Sequence, residues 1–390
     1  MSDLFDNVKL YLTQKTKNKC LLVPDIVRIL GKEEVYRRID EPVYTSRTTS
    51  VWRYGSQATG QIIVLKIIMA HDFNIADTVE RHADYRSKLL RMVSREIRLI
   101  PTNDDTVIVP HAGLYRSDDD CGRLSSERRC TFYEMCALNT HTQREHHVIW
   151  GAQLMQNAVC SLNIVVKNLH TTGTDSNFAY FHLAKTVISK LAYLKKTRQM
   201  CHVDFKWENC GMFLTKDGVD IKLLDTAGIV HRRVQGKIGT TYPAAFWHRN
   251  TVRNPDTVSD EDAMLWCIGV SLLQLSNPTK YGAIASAFSH RNNVFKNVRL
   301  TENLLRKLID PIQSAIHEQV FFSLATRCMR ISKSKSIQSV CALERKFKQF
   351  ELVLNIQNNS GREFLRMYAV AHVKQTAIRP AATSAIALQS

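Results

Sequence analysis

Two hydrophobic periods divide the chain. Between residues 41 and 70 apolar and polar side chains alternate, and the run ends in Gln61-Ile-Ile-Val-Leu-Lys-Ile-Ile-Met69. That pattern predicts β structure closing in a buried strand that carries one lysine, Lys66. Residues 1–40 form a polar lead-in in which Pro24 to Arg38 is expected to be a short helix. Residues 77–100 place Leu89, Met92, Val93, Ile97 and Ile100 at helical spacing, and Pro101 stops that helix. Short strands are expected at Thr106–Val109 and Cys130–Cys136, with a solvated acidic loop around Asp118–Asp120 between them.

Beyond residue 140 the helical period takes over. His141 to His147 is expected to be a solvated loop, and residues 178–196 carry Phe181, Ala184, Val187, Ile188, Leu191 and Leu194 on one helical face. Cys210 to Leu224 returns to alternation around Lys216-Asp217-Gly218, which predicts a β-hairpin. Helical patterns fill residues 261–350, and the Ala-, Ser- and Thr-rich stretch from Gln375 to Ser390 is expected to be disordered. The outline is α+β, a small β-rich part followed by a larger helical one.

Composition narrows this picture. The chain has 390 residues with 44% apolar content, enough for two lobes with buried cores. No run of about 18 apolar residues occurs, and the polar, Lys-containing start does not read as a signal peptide, so no membrane association is expected. Ten cysteines stand singly without a CxxC pair, and Cys201, His202 and Cys210 lack a second pair of zinc ligands. Reduced thiols and a cytoplasmic or nuclear location are the expectation. Net charge is +17, and from Arg291 onward 16 Lys and Arg face 6 Asp and Glu. Such a basic region attracts acidic partners or nucleic acid, although no aromatic-and-basic module of a nucleic-acid reader is present.

The candidate chemistry sits in Cys201-His202-Val203-Asp204-Phe205-Lys206-Trp207-Glu208-Asn209. Moving a phosphoryl group from ATP to a hydroxyl needs a carboxylate for the hydroxyl proton, a cation near the transferring group, and oxygen ligands for Mg²⁺. Asp204, Lys206 and Asn209 supply these within one short loop. Downstream, the expected hairpin leads into Leu223-Leu224-Asp225-Thr226-Ala227-Gly228, with a carboxylate at a strand end. Asp-Thr-Ala-Gly is also a phosphate motif of small GTPases, but the GxxxxGK[ST] loop that reading needs is absent.

The HxDxKxxN spacing resembles the catalytic loop of the protein-kinase superfamily. The resemblance runs in order from about Tyr44 to about Phe350. It implies a bilobal kinase-like fold, with a lead-in at 1–40, an N-lobe at 41–135, a C-lobe at 136–355 and an extension at 356–390. It implies ATP and Mg²⁺ as cofactors and protein hydroxyls as acceptors, of Ser/Thr type because Lys206 stands where that branch has Lys. Asp204 would be the base, and Asn209 and Asp225 the metal ligands. Lys66 would meet the phosphates, paired with Glu96 in Ser94-Arg95-Glu96-Ile97. Val51 would cover the adenine, and Glu134 and Cys136, in Phe132-Tyr133-Glu134-Met135-Cys136, would bond its edge.

The departures are specific. The family's glycine positions fall on Tyr44, Ser46 and Thr49, so the loop over the phosphates offers hydroxyls and Arg47 in place of close backbone approach. Thr226 replaces an aromatic, Val203 an arginine and Met264 a buried aspartate, with Asp262 two positions early. Gly239-Thr240-Thr241-Tyr242-Pro243 resembles the end of an activation segment, but Ala244-Ala245-Phe246 follows instead of Ala-Pro-Glu. Lys335 takes the place of the late arginine. These departures resemble kinases of large DNA viruses, and they leave a pseudokinase scaffold, binding partners without turnover, as the alternative.

Overall fold

The structure, a computed structural model, describes residues 26–29, 34–45, 49–71, 87, 90–91, 111–113, 115–116, 122–124, 133–139, 144–169, 176–225, 228–231, 259–289, 298–308, 316–331, 336–353 and 358–377. The chain divides into two units, Met1–Asn157 and Ala158–Ser390.

The first unit is built on one sheet. Its strands are β1 (Ile26–Ile29), β2 (Val35–Thr45), β3 (Thr49–Ser56), β4 (Ile62–His71), β5 (His111–Gly113), β6 (Tyr115–Arg116), β7 (Gly122–Leu124), β8 (Tyr133–Asn139) and β9 (Arg144–Gln156). They pair in the order β5-β9-β4-β3-β2-β1-β7-β6, with β8 also against β9. Val27, Tyr36, Trp52, Tyr54, Leu65 and Ile67 are buried. Alternation in β3 is strict, with Ser50, Trp52, Tyr54 and Ser56 inward, as the period of two requires. The β4 segment Ile63–Ile68 is buried on both faces, which is why its sequence reads as a continuous apolar run.

Three expectations change here. Pro24–Arg38 is not a helix among its described residues; Ile26–Ile29 and Val35 onward are strands, paired to each other at Arg28–Val35 and Ile26–Arg37. Cross-strand pairing overrides the helix-forming Glu and Arg of this stretch. Arg144–His147 belongs to β9 rather than to a solvated loop. The division between units falls after Asn157, not at 135/136, because β8 and β9 pair with each other and β9 continues onto β4. Of the expected helix at 77–100, Ser87, Leu90 and Arg91 are helical; the rest, with Thr106–Val109 and Asp118–Asp120, lies outside the described residues.

The second unit is mostly helical. It contains β10 (Cys160–Ser161), α1 (Leu162–Leu169), α2 (Ser176–Arg198), β11 (Met200–His202), the hairpin β12 (Cys210–Thr215) and β13 (Gly218–Leu223), and β14 (Ile229–His231). Then come α3 (Asp260–Ser276), α4 (Tyr281–Ser289), α5 (Val298–Leu308), α6 (Ile316–Cys328), α7 (Val340–Val353) and α8 (Asn358–Ala377). The predicted helix at 178–196 is α2, and the predicted hairpin is β12–β13, in register from Cys210–Leu223 to Thr215–Gly218. Helix α3 is buried from Ala263 to Ser276, so its sequence is apolar all round. Among the described residues no helix is long and apolar enough to cross a membrane.

Residues 358–377, within the expected C-terminal extension, form a helix packed on α2 and the hairpin, and residues 378–390 lie outside the described ones. Helix α8 comes close to the backbone of α2 at Gly361, where a Cβ would stand 2.6 Å from the Phe178 carbonyl oxygen. Beside it, Arg362 donates to the Asp217 carbonyl in the hairpin turn at 3.0 Å. Backbone cannot yield as a side-chain tip can, so Gly361→Val should destabilise the protein by about 1–3 kcal/mol. Denaturant unfolding followed by circular dichroism checks this; a variant as stable as the parent would contradict the packing.

Candidate active site

The loop that carries the candidate chemistry is formed by a sharp exit from α2. Gln199 adopts the left-handed conformation (φ 56), its N–H donating to the Lys195 carbonyl at 3.1 Å. The chain then enters β11, which pairs antiparallel with β14 from Met200–His231 to His202–Ile229. The loop closes in a 3-10 turn, Trp207–Asn209, that feeds β12.

Helix α3 holds this loop through positions three and four residues apart, which share a helix face. The His202 N–H donates to Met264 Sδ at 3.4 Å. Cys267 Sγ donates to the Val203 carbonyl at 3.4 Å, and Trp207 Nε1 to the Ser271 carbonyl at 3.0 Å. From α4, the Tyr281 hydroxyl donates to Glu208 Oε1 at 2.9 Å. Val203, Phe205 and Trp207 are fully buried, the last two meeting edge to face with centroids 5.6 Å apart. Alternate loop positions are thereby sunk into the core.

Asp204 and Lys206 lie between these positions, and Asn209 ends the loop. Asn209 Nδ2 donates to the Asp204 carbonyl at 2.9 Å, which fixes the amide's orientation. Lys206 Nζ stands 3.8 Å from Asp204 Oδ2. Asp225 is delivered alongside by two backbone bonds, Leu224 N–H to the Asn209 carbonyl at 2.9 Å and Val203 N–H to the Gly228 carbonyl at 2.8 Å. Its side chain is half-buried. The structure thus brings Asp204, Lys206, Asn209 and Asp225 together.

Gly228 has a steric reason. A Cβ there would lie 2.6 Å from Cε1 and 2.7 Å from Nδ1 of His202, and 3.1 Å from Cβ of Asp204. His202 is fully buried. Burial holds its imidazole down to about 4 from the usual 6.5, against the opposing charge of Asp225. Cys201, Cys210 and Cys267 are buried thiols without a disulfide, and burial pushes Cys201 up to about 11.

In the first unit Val51 stands opposite Lys66, and Lys66 opposite Gln153. Lys66 is 8% exposed and Gln153 2%. The row Val51–Lys66–Gln153 therefore lies on one face of the sheet. Gln153 escaped the sequence reading, because the adjacent apolar pair Leu154-Met155 breaks any alternation around it. Glu134 and Cys136 lie on β8, opposite Ile149 and His147 of β9. They are not where the chain leaves the sheet; β9 does that, ending at Gln156. Glu96, Thr226, the segment 239–246 and Lys335 lie outside the described residues.

Asp262 does not substitute for Met264. It forms a capping box with Ser259 at the start of α3 and pairs with Arg330. Among the described residues no three His, Cys, Asp or Glu side chains converge as a metal site. The Asn209 oxygen and Asp225 suit instead a hard cation that completes its shell with phosphate oxygens and water.

No protein-family model matches the sequence, and no curated protein matches it. Among solved structures, the chain is similar to a ROP18 kinase domain in complex with AMP-PNP and sucrose, at 15% identity over 89% of this chain and 96% of that one, TM-score 0.40. It is also similar to ROP2 from Toxoplasma gondii, described as a virulence factor with a protein-kinase fold and no enzymatic activity, at 14% identity over 91% and 92%, TM-score 0.46. The fold of this chain is α+β, a β-sheet unit followed by a helical unit whose loop, hairpin and buried helix follow one another in chain order.

The depressed imidazole of His202 has a consequence for stability. Between pH 4 and 6.5 the unfolded chain binds more protons at this residue than the folded one. The stabilisation is therefore complete above pH 6.5 and is lost as pH falls towards 4. The advantage of wild type over His202→Asn in unfolding free energy should shrink by roughly 3 kcal/mol between pH 7 and pH 4. Parallel pH profiles for the two proteins would contradict this.

Proposed function

We propose that this protein is a protein kinase that transfers the γ-phosphoryl group of ATP to serine or threonine hydroxyls of other proteins. The observation that carries the reading is the second unit's constellation, with Asn209 bonded to the Asp204 carbonyl, Lys206 beside the Asp204 carboxylate, and Asp225 tethered alongside. In the step proposed, the acceptor hydroxyl gives its proton to the Asp204 carboxylate as its oxygen bonds to the γ-phosphorus. The bond from that phosphorus to the bridging oxygen breaks, and its electrons leave with ADP. Lys206 offsets negative charge gathering on the transferred group.

Asn209 and Asp225 would hold Mg²⁺, which supplies positive charge to the phosphates when bound. Lys66 is the first unit's candidate for the α- and β-phosphates, as a point charge. Val51 shares its face and supplies apolar cover for the base. The backbone of residues 154–157, at the end of β9, takes over the adenine-edge role expected of Glu134 and Cys136.

Transfer of labelled phosphate from ATP tests this. Asp204→Asn should lower the rate about 10²–10⁴-fold with the fold intact, and Lys66→Met and Asp225→Ala should also abolish measurable transfer. The products should carry phosphoserine and phosphothreonine. Wild-type rates in all three variants, or a phosphotyrosine product, would overturn the proposal.

Regulation follows from Val203. It is fully buried and apolar, so the loop carries no cation there for a phosphorylated segment to neutralise. Activity should survive complete phosphatase treatment. A loss above about tenfold, or roughly 1.4 kcal/mol in the barrier, restored by rephosphorylation within residues 226–242, would contradict this.

A further inference from the structure

Strand β2 is interrupted before it reaches the hairpin with β3. Ile39 stands opposite Arg53 and Tyr44 opposite Val51, so residues 40–43 of β2 face only Trp52. In an unbroken strand, residues an odd number apart point to opposite faces. The inserted residues cancel that parity, and Ile39 and Tyr44 share the face of Arg53 and Val51. Re-aiming a side chain is a characteristic effect of a bulge.

The face in question is the one that carries Lys66. Tyr44 is opposite Val51, Val51 opposite Lys66 and Lys66 opposite Gln153, a row across four neighbouring strands. Exposure rises along it, from Gln153 at 2% and Lys66 at 8% to Tyr44 at 56%. Tyr44 is therefore an aromatic ring at the open end of a row that holds an ammonium group two strands away, about 10 Å at the usual strand spacing. That is roughly the reach of a nucleotide from base to phosphates. Arg53, one row along on the same face, adds positive charge. Residues 44–50 contain no glycine, so close backbone approach to phosphates is restricted there, and recognition by a side chain gains importance.

We infer that Tyr44 is a ligand-contacting residue that stacks on the base of a bound purine nucleoside triphosphate. This rests on the nucleotide-binding reading above. Every base offers a π-face to an aromatic side chain. The β2 bulge is the device that turns the ring towards the ligand, and binding strength is weighted towards the base rather than the phosphates.

The test is binding of Mg·ATP and of inorganic tripolyphosphate to the full chain by calorimetry. Wild type is compared with Tyr44→Ala, Tyr44→Leu and Tyr44→Phe. Tyr44→Ala and Tyr44→Leu should weaken ATP about tenfold and leave tripolyphosphate within twofold, while Tyr44→Phe keeps wild-type affinity for both. The side chain is largely exposed, so unliganded thermal stability should not change. ATP affinity unchanged in Tyr44→Ala overturns the inference, and so does an equal loss for both probes, which would mark a structural effect on the hairpin. A wild-type protein that does not bind ATP refutes the nucleotide-binding reading and this inference together; one that binds ATP with indifferent Tyr44 variants refutes the inference alone.

Discussion

The site depends on how one buried helix grips one irregular loop. Helix α3 is buried along nearly its whole length, and its free surface groups are few. From that position Met264, Cys267 and Ser271 take hold of His202, Val203 and Trp207. A loop of this shape leaves backbone groups without regular partners, and each buried one left unmet costs about 1–3 kcal/mol. The helix meets two of them and gives the indole N–H of Trp207 an acceptor. With the apolar side chains of Val203, Phe205 and Trp207 pointing into the core, Asp204 and Asn209 have a fixed frame, and the Asp204 carbonyl can orient the Asn209 amide.

The grip extends to the strand that follows the hairpin. Asp225 is carried by the backbone bonds of Leu224 and Gly228 to the loop. Gly228 permits this because no side chain fits between its backbone and His202. A buried neutral imidazole, a glycine and two backbone bonds thus set where a carboxylate stands. The hairpin is braced from outside by α8, whose Arg362 reaches the Asp217 carbonyl.

Much of this was legible in the sequence wherever one period ruled a long segment. The face of α2 and the alternation of β12–β13 around Lys216-Asp217-Gly218 are local patterns with one structural solution. The loop residues stood out because their spacing resembles a known catalytic loop, and the structure brings Asp204, Lys206 and Asn209 together. What failed was non-local. Strand β9 begins with Arg144, Glu145, His146 and His147 and is interrupted by Gly151, so neither composition nor a clean alternation marks it. Its place is fixed by pairing with β4, from His71–Val148 to Ile63–Gln156, far apart in sequence. Missing it set the end of the first unit too early in the chain. The strands at Ile26 and Val35 were lost for the same reason, since their partner strands are what stabilise them. The insertion in β2 is visible only in the register with β3.

The bond from His202 to Met264 also sets what the site is indifferent to. A carboxylate at that position would tie the loop to the helix through a charge whose hold varies with protonation and with the polarity around it. A thioether has neither property. It is a weak acceptor, but it neither titrates nor attracts counterions, and Cys267 beside it stays a neutral thiol because burial raises it well above its usual range. The seat of the loop is therefore electrically silent. Acid and salt act on the groups the loop presents and on the buried imidazole, while the part of the helix that holds the backbone in place answers only to packing.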